Sequence, residues 1–138
     1  MSEQPIIVID DDPDDHEMIH RALRRLDPKL AVKKFFDGEE ALRYLQTTSD
    51  NPFLILCDIN MPIVNGFELK KQIDSDPVLR QKCIPFVFFT TTGNSDQVRK
   101  AYELHVHGFF SKGQSYEELK TSLETIIRYW QASKHPND

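Results

Sequence analysis

Five short apolar runs, rich in β-branched and aromatic residues, punctuate the chain: "PIIVID", "AVKKFF", "FLILCD", "IPFVFFT" and "GFFSK". Each is followed by a polar stretch with helical spacing, so the pattern predicts five strands alternating with five helices. The runs at 53–57 and 85–89 are apolar throughout, as expected of parallel strands covered on both faces. Two helical stripes agree: Ile19, Ala22, Leu23 and Leu26 in the first helix, and Leu119, Leu123, Ile126, Ile127 and Trp130 in the last. The expected architecture is α/β, a doubly wound parallel sheet with helices on both faces. Such a sheet binds its ligand in the crevice at the carboxyl ends of its strands.

At 138 residues the chain reads as one domain, 1–138, with a core over about 5–130 and the end, "KHPND", as a frayed tail. Asp12 before Pro13 reads as a helix N-cap and first helical residue, and Ser115 with Glu118 as a capping box. A net charge of −5 argues against direct binding to nucleic acid or to an anionic membrane surface. "FLILC" and "FVFF" are far too short to cross a bilayer, and "MSEQP" carries no basic stretch, so a cytoplasmic location is expected. Two cysteines, Cys57 and Cys83, fit neither a disulfide framework nor zinc-ligand spacing and are expected to be reduced thiols.

The chemistry should sit where the strands end. The first run ends at Asp10, Asp11 and Asp12, the third at Asp58, the fourth at Thr90, Thr91 and Thr92, and the fifth at Lys112. Asp12 as a cap, and Asp14 and Asp15 near the positive end of a helix dipole, account for three of the five clustered aspartates. Asp10 and Asp11 remain, and Asp58 joins them if the first and third strands are neighbours. Three carboxylates together raise their own pKa values unless a cation neutralises them, and all-oxygen ligation suits Mg²⁺. An EF-hand fails on detail, with Asp15 where glycine is needed and Arg21 where glutamate is needed. Glycine-rich phosphate fingerprints are absent from the sequence. Carboxylates, Mg²⁺, a hydroxyl and a lysine are what handling a phosphoryl group requires. Asp58, after the most uniformly apolar strand, is the candidate nucleophile, and the following "INMP" offers carbonyls to a metal.

The strand ending in "DD", then "DINMPIVNGFEL", "PFVFFTTT" and "GFFSKG", in this order, resembles the receiver domain of two-component response regulators, the CheY-like superfamily. The resemblance runs from about Pro5 to Trp130 and implies a flavodoxin-like strand order, 2-1-3-4-5. It implies that Asp58 accepts phosphate from a histidine kinase or a phosphotransfer protein. It further implies that Asp11 and the Asn60 carbonyl bind Mg²⁺, with Asp10 acting mainly through water. Lys112 would pair with the phosphoryl group, and Thr90 and Phe109 would move together as the switch. The end, "YW" followed by "KHP", is similar to small stand-alone regulators of the phytochrome-associated type. Output would leave through the face of the fourth helix, fifth strand and fifth helix, with Val98, Tyr102 and Phe109 as contacts for a homodimer or a docked partner.

The family pattern is broken in places. Phe109 stands where tyrosine is usual, so a phenolic switch is excluded. Thr91 is larger than the usual alanine or glycine, and His105 takes a position suited to a left-handed cap. Gly113 replaces the usual proline after Lys112; a cis bond there is expected to persist so that the lysine reaches the site. His16 and His20 are expected on a solvated helix face, and Cys57 should point away from the site. The rivals to a phosphoacceptor switch are a small aspartyl-phosphate phosphatase and a receiver-like binding module that is never phosphorylated. The first would place a "D-x-D" around its nucleophile at the end of its first strand, whereas the comparable "DIN" here ends the third and lacks the second aspartate. The second has no need of a destabilising charged cluster.

Overall fold

The computed structural model describes residues 4–91 and 93–137, so Thr92 lies outside the described residues. The strands are β1 (Ile6–Ile9), β2 (Val32–Phe35), β3 (Leu54–Cys57), β4 (Phe86–Thr90) and β5 (Gly108–Ser111). All pairings are parallel and the order is β2-β1-β3-β4-β5, as the family resemblance implies. The helices are α1 (Pro13–Leu26), α2 (Gly38–Thr47), α3 (Gly66–Ser75), α4 (Pro77–Lys82), α5 (Ser95–Glu103) and α6 (Tyr116–Ala132).

Alternate strand residues face opposite layers. Ile6, Val8, Leu54, Leu56, Val87 and Phe89 pack with Ile19 and Leu23 of α1 and with Leu119, Leu123 and Ile126 of α6. On the other side, Ile7, Ile9, Ile55, Phe86 and Phe88 meet Leu45 of α2, Leu69 and Ile73 of α3, Leu79 of α4 and Ala101 of α5. Full burial of these side chains contributes about 1.5–3 kcal/mol each, which is why the three central strands tolerate so little polarity.

Two expectations are corrected here. The helices number six among the described residues, because the segment after β3 divides at Asp76. The Asp76 carboxylate accepts from the Val78 and Leu79 N–H groups at 2.9 and 3.2 Å, and Pro77 opens α4. "DP" repeats the signal that starts α1. The helix ends at Cys83, which is left-handed at φ 51°.

Over its described residues, 134–137, the tail is not frayed. His135 is buried, stacks on Phe53 with ring centroids 5.2 Å apart, and donates from Nε2 to the Phe53 carbonyl at 2.8 Å. Asn137 donates from Nδ2 to the Lys82 carbonyl at 2.6 Å. The aromatic stack and two new hydrogen bonds outweigh the entropy of the last residues. His105 does adopt the left-handed conformation, at φ 59°, just past the end of α5.

Candidate functional site at the β1–β3 switch point

The strand order reverses between β1 and β3, and the register there aligns Ile9 with Cys57. Asp10 and Asp58 therefore leave the sheet side by side, with the Asp58 N–H donating to the Ile9 carbonyl at 2.9 Å. On the far side of β3, Thr90 pairs with Ser111, and the Lys112 N–H donates to the Thr90 carbonyl at 2.8 Å. Backbone ladders thus deliver Asp10, Asp58, Thr90 and Lys112 to one rim. Carboxylate oxygens of Asp10, Asp11 and Asp58 lie within 4.8 Å of one another. Asp10 is 1% exposed and Asp11 is at the surface.

Lys112 is the cation of this cluster. Its ammonium forms an ion pair with Asp10, and lies 2.8 Å from Asp15 and 3.4 Å from Asp58. Burial alone would lower its pKa, but the charges of Asp10, Asp15 and Asp58 outweigh burial and hold it above the ordinary lysine value. Burial pushes the Asp10 carboxyl up against the pull of Lys112, and Asp58 adds to that push. A further cation beside Asp10 would act in the same direction as Lys112. One oxygen of Asp58 accepts from the Ile59 N–H at 2.8 Å, which fixes the carboxylate while the other faces Lys112. The Thr90 hydroxyl is buried without a hydrogen-bond partner, an orphan that a ligand oxygen would satisfy.

The loop after Asp58 is held by the Ile59 carbonyl, which accepts from Met61 and Gly66. A Cβ on residue 66 would collide with the Asp58 carbonyl and lie 2.8 Å from Phe88, so glycine lets α3 close against the site. Asn65 and Glu68 form the complete capping box of this helix. Asn60 lies exposed in this loop, two residues after Asp58, and Ile63 is 88% exposed at φ 69°, an unfavourable conformation for a β-branched residue. Phe109 is half-buried, edge-on to Phe88 with centroids 6.1 Å apart. It also lies against Gly93, where a Cβ would be 2.7 Å from its ring.

Several expectations change. The Lys112–Gly113 bond is trans, yet Lys112 reaches the rim. Gly113 turns the chain at φ 78°, and its N–H donates to the Ser111 hydroxyl at 3.0 Å. Of the Ser115–Glu118 capping box only half forms: Ser115 accepts from the Glu118 N–H, while Glu118 turns to the Gln114 N–H at 2.8 Å. His16 is not on a solvated face. It is buried, and its Nε2 donates to the carbonyls of Asp10 at 2.7 Å and Phe35 at 3.0 Å, joining α1 to the ends of β1 and β2. His20 is half-buried. Asp15 does more than favour a helix dipole, since it holds Lys112.

A signal for His16 was present. It lies three residues before Ile19 and seven before Leu23, on the buried stripe. No comparable signal marked Asp15, whose partner is ninety-seven residues away. The Cys57 thiol is fully buried and donates to the Asp58 carbonyl at 3.1 Å. Burial, then the charges of Asp58 and Asp10, push its pKa well up, so it is held as an unreactive thiol.

The profile of the response regulator receiver domain matches residues 6–124. The probable methanogenesis regulatory protein FilR2 of Methanothrix harundinacea is 36% identical over 130 residues, covering 91% of this chain and 83% of that protein. The crystal structure of the phosphorylated cyanobacterial phytochrome response regulator RcpA superposes with a TM-score of 0.87 at 30% identity, covering 98% of this chain and 99% of that one. The Mn²⁺-bound form of response regulator Rcp1 superposes with a TM-score of 0.84 at 29% identity, covering 96% and 99%. A receiver profile that spans all five strands, on a sheet that superposes on phytochrome response regulators, means that the chain belongs to the response regulator receiver family of two-component signalling.

Proposed function

We propose that Asp58 is the phosphoacceptor, that Lys112 and Thr90 hold the transferred phosphoryl group, and that Mg²⁺ completes the site. Receiver domains are phosphoacceptor switch proteins that work with histidine kinases or phosphotransfer proteins. The observation that carries the assignment is the pairing of a fixed Asp58 carboxylate, facing a buried ammonium, with an unpartnered Thr90 hydroxyl on the next strand. One Asp58 oxygen attacks the phosphorus of the donor phosphohistidine. The O–P bond forms as the P–N bond breaks, and the electron pair leaves with the imidazole, which takes up a proton. Lys112 and Thr90 donate to phosphoryl oxygens as charge spreads over them. Asp11, Asp58 and the Asn60 carbonyl would hold the cation, with Asp10 acting through water. Bound there, Mg²⁺ offsets carboxylate repulsion and the charge of the phosphoryl oxygens.

The chain catalyses its own phosphorylation and dephosphorylation and is not a turnover enzyme. The phosphatase rival is weakened because the paired carboxylates come from two strands. Thr90 moves towards the phosphoryl group and Phe109 turns further inward, remodelling the face of α5, β5 and α6. Val98 and Phe109 are half-buried on that face and Tyr102 is 53% exposed, apolar area for a homodimer or a docked protein. No described helix is long and apolar enough to cross a membrane, and we place the activity in the cytoplasm.

Intact mass after acetyl phosphate and Mg²⁺ tests the assignment. One phosphoryl group is expected on the wild type and none on Asp58→Asn. An undiminished label on Asp58→Asn overturns it.

A further inference from the structure

The three N–H donors of the Lys112 ammonium face three carboxylates, and the longest of the three contacts is the one to Asp58. The donor facing Asp58 is held at 3.4 Å, so the ammonium can close onto a phosphoryl oxygen there only as one of its two shorter ion pairs gives way. Asp10 is the poor candidate for release. Its side chain is 1% exposed and its second oxygen is already engaged by the Asp12 N–H at 2.9 Å, so losing the lysine would leave a buried carboxylate short of its main counter-charge. Asp15 is the good one. It sits on the first turn of α1 at the rim, 16% exposed, where solvent can take over its oxygens. The cavity beside it, about 310 Å³, is lined by Asp15, Thr91, Lys112, Ser115 and Tyr116, and gives the freed carboxylate room.

We propose that Asp15 is a positioning residue that competes with the phosphoryl group for Lys112, holding the ammonium back from Asp58 and slowing phosphorylation. This rests on the assignment of Asp58 as phosphoacceptor. The competition is specific to this arrangement. Asp15 is in the first turn of α1, four residues after Asp11, and its carboxylate lies closer to the ammonium than the carboxylate that is to be phosphorylated. Asp15 touches no reacting atom; its effect passes entirely through Lys112. A simple repulsion between Asp15 and an anionic donor would act whether or not the lysine is present, which separates the two explanations.

The test is a double-mutant cycle of Asp58 phosphorylation rates with acetyl phosphate and Mg²⁺, in wild type, D15N, K112M and D15N/K112M, with folding checked by circular dichroism. D15N is expected to accelerate phosphorylation by roughly fivefold in the presence of Lys112, the effect of releasing one partly exposed ion pair. In the K112M background the same substitution should change the rate by less than about twofold. Equal acceleration in both backgrounds overturns the competition in favour of charge repulsion, and an unchanged D15N rate overturns it outright. If K112M unfolds or reacts too slowly to follow, affinity for beryllofluoride by calorimetry replaces the rate in the same cycle, run throughout in a D10N background that relieves the uncompensated carboxylate, with the same two overturning outcomes. No label on wild-type Asp58 overturns the underlying assignment; a labelled wild type with an unaltered D15N overturns this proposal alone.

Discussion

The two ends of the sheet are built on opposite principles. At the amino end each of these polar groups has its partner: His135 on the Phe53 carbonyl, Asn137 on the Lys82 carbonyl, the Phe86 N–H on His107 Nδ1 at 3.0 Å, and the buried Lys70 ammonium on Asp74 at 2.7 Å. At the carboxyl end Lys112 answers three carboxylates, the Thr90 hydroxyl has no partner, and Ile63 is held at an unfavourable φ. The three central strands between, β1, β3 and β4, are buried along their whole length and apolar up to Thr90. A saturated end and a rigid middle let the other end remain incomplete, which is what a site completed by a cation and a phosphoryl group requires.

The contrast can be broken most severely at Lys112. Lys112→Met leaves the buried Asp10 without its cation, and unfolding by urea should show a loss of about 3–5 kcal/mol, part of it recovered by adding Asp10→Asn. A loss no larger than that of a surface lysine would mean that the rim is not electrostatically strained.

Mg²⁺ should act in the other direction. At a hundred times its dissociation constant it should stabilise the wild type by about 2.7 kcal/mol, visible as a raised melting midpoint. Asp11→Asn should lose most of that gain, whereas an equal gain in the variant would remove Asp11 from the site.

At the saturated end the effect is smaller and confined to stability. His135→Ala removes the hydrogen bond to the Phe53 carbonyl, the one Nδ1 accepts from the Asn137 N–H, and one aromatic stack, so a loss of about 1–3 kcal/mol is expected with an unchanged phosphorylation rate. A changed rate would show that the two ends communicate.

The smallest effect is a pH dependence at His107. Burial, and then the charge of Lys70, hold its pKa below the ordinary 6.5, and its Nδ1 lone pair accepts from Phe86. The folded state therefore binds this proton less readily than the unfolded chain. Its stabilising contribution is complete above 6.5 and is lost as pH falls through the depressed folded value. Melting midpoints should fall on acidification through this window, and less so in His107→Gln.

The same division governs what could be read from the sequence. Strand ends follow from uninterrupted apolar runs, so Asp10, Asp58, Thr90 and Lys112 were legible as one rim before any coordinates. The helix stripes and the left-handed His105 were legible for the same local reasons. Contacts that depend on side chains distant in the chain were not. Asp15 is within reach of Lys112 only because α1 and the β5–α6 loop are adjacent, and His135 finds Phe53 across eighty-two residues. The Lys112–Gly113 expectation carried over a constraint that belongs to proline; glycine reaches the same end through a left-handed turn. Helix α4 was missed although Asp76 and Pro77 announce it, because "DSDPVLRQK" continues the spacing of α3.

The central claim is that ligands complete one end of the molecule and leave the other untouched. Amide chemical shifts of the full chain, recorded with and without Mg²⁺ and beryllofluoride, test it most directly. Changes are predicted at Asp11, Asp58, Thr90 and Lys112, extending through Phe109 to α5 and to the adjoining part of α6, with the amides around Phe53, Lys82 and His135 unmoved. Perturbations centred on the Phe53–His135 end, or a rim that does not respond, would contradict it.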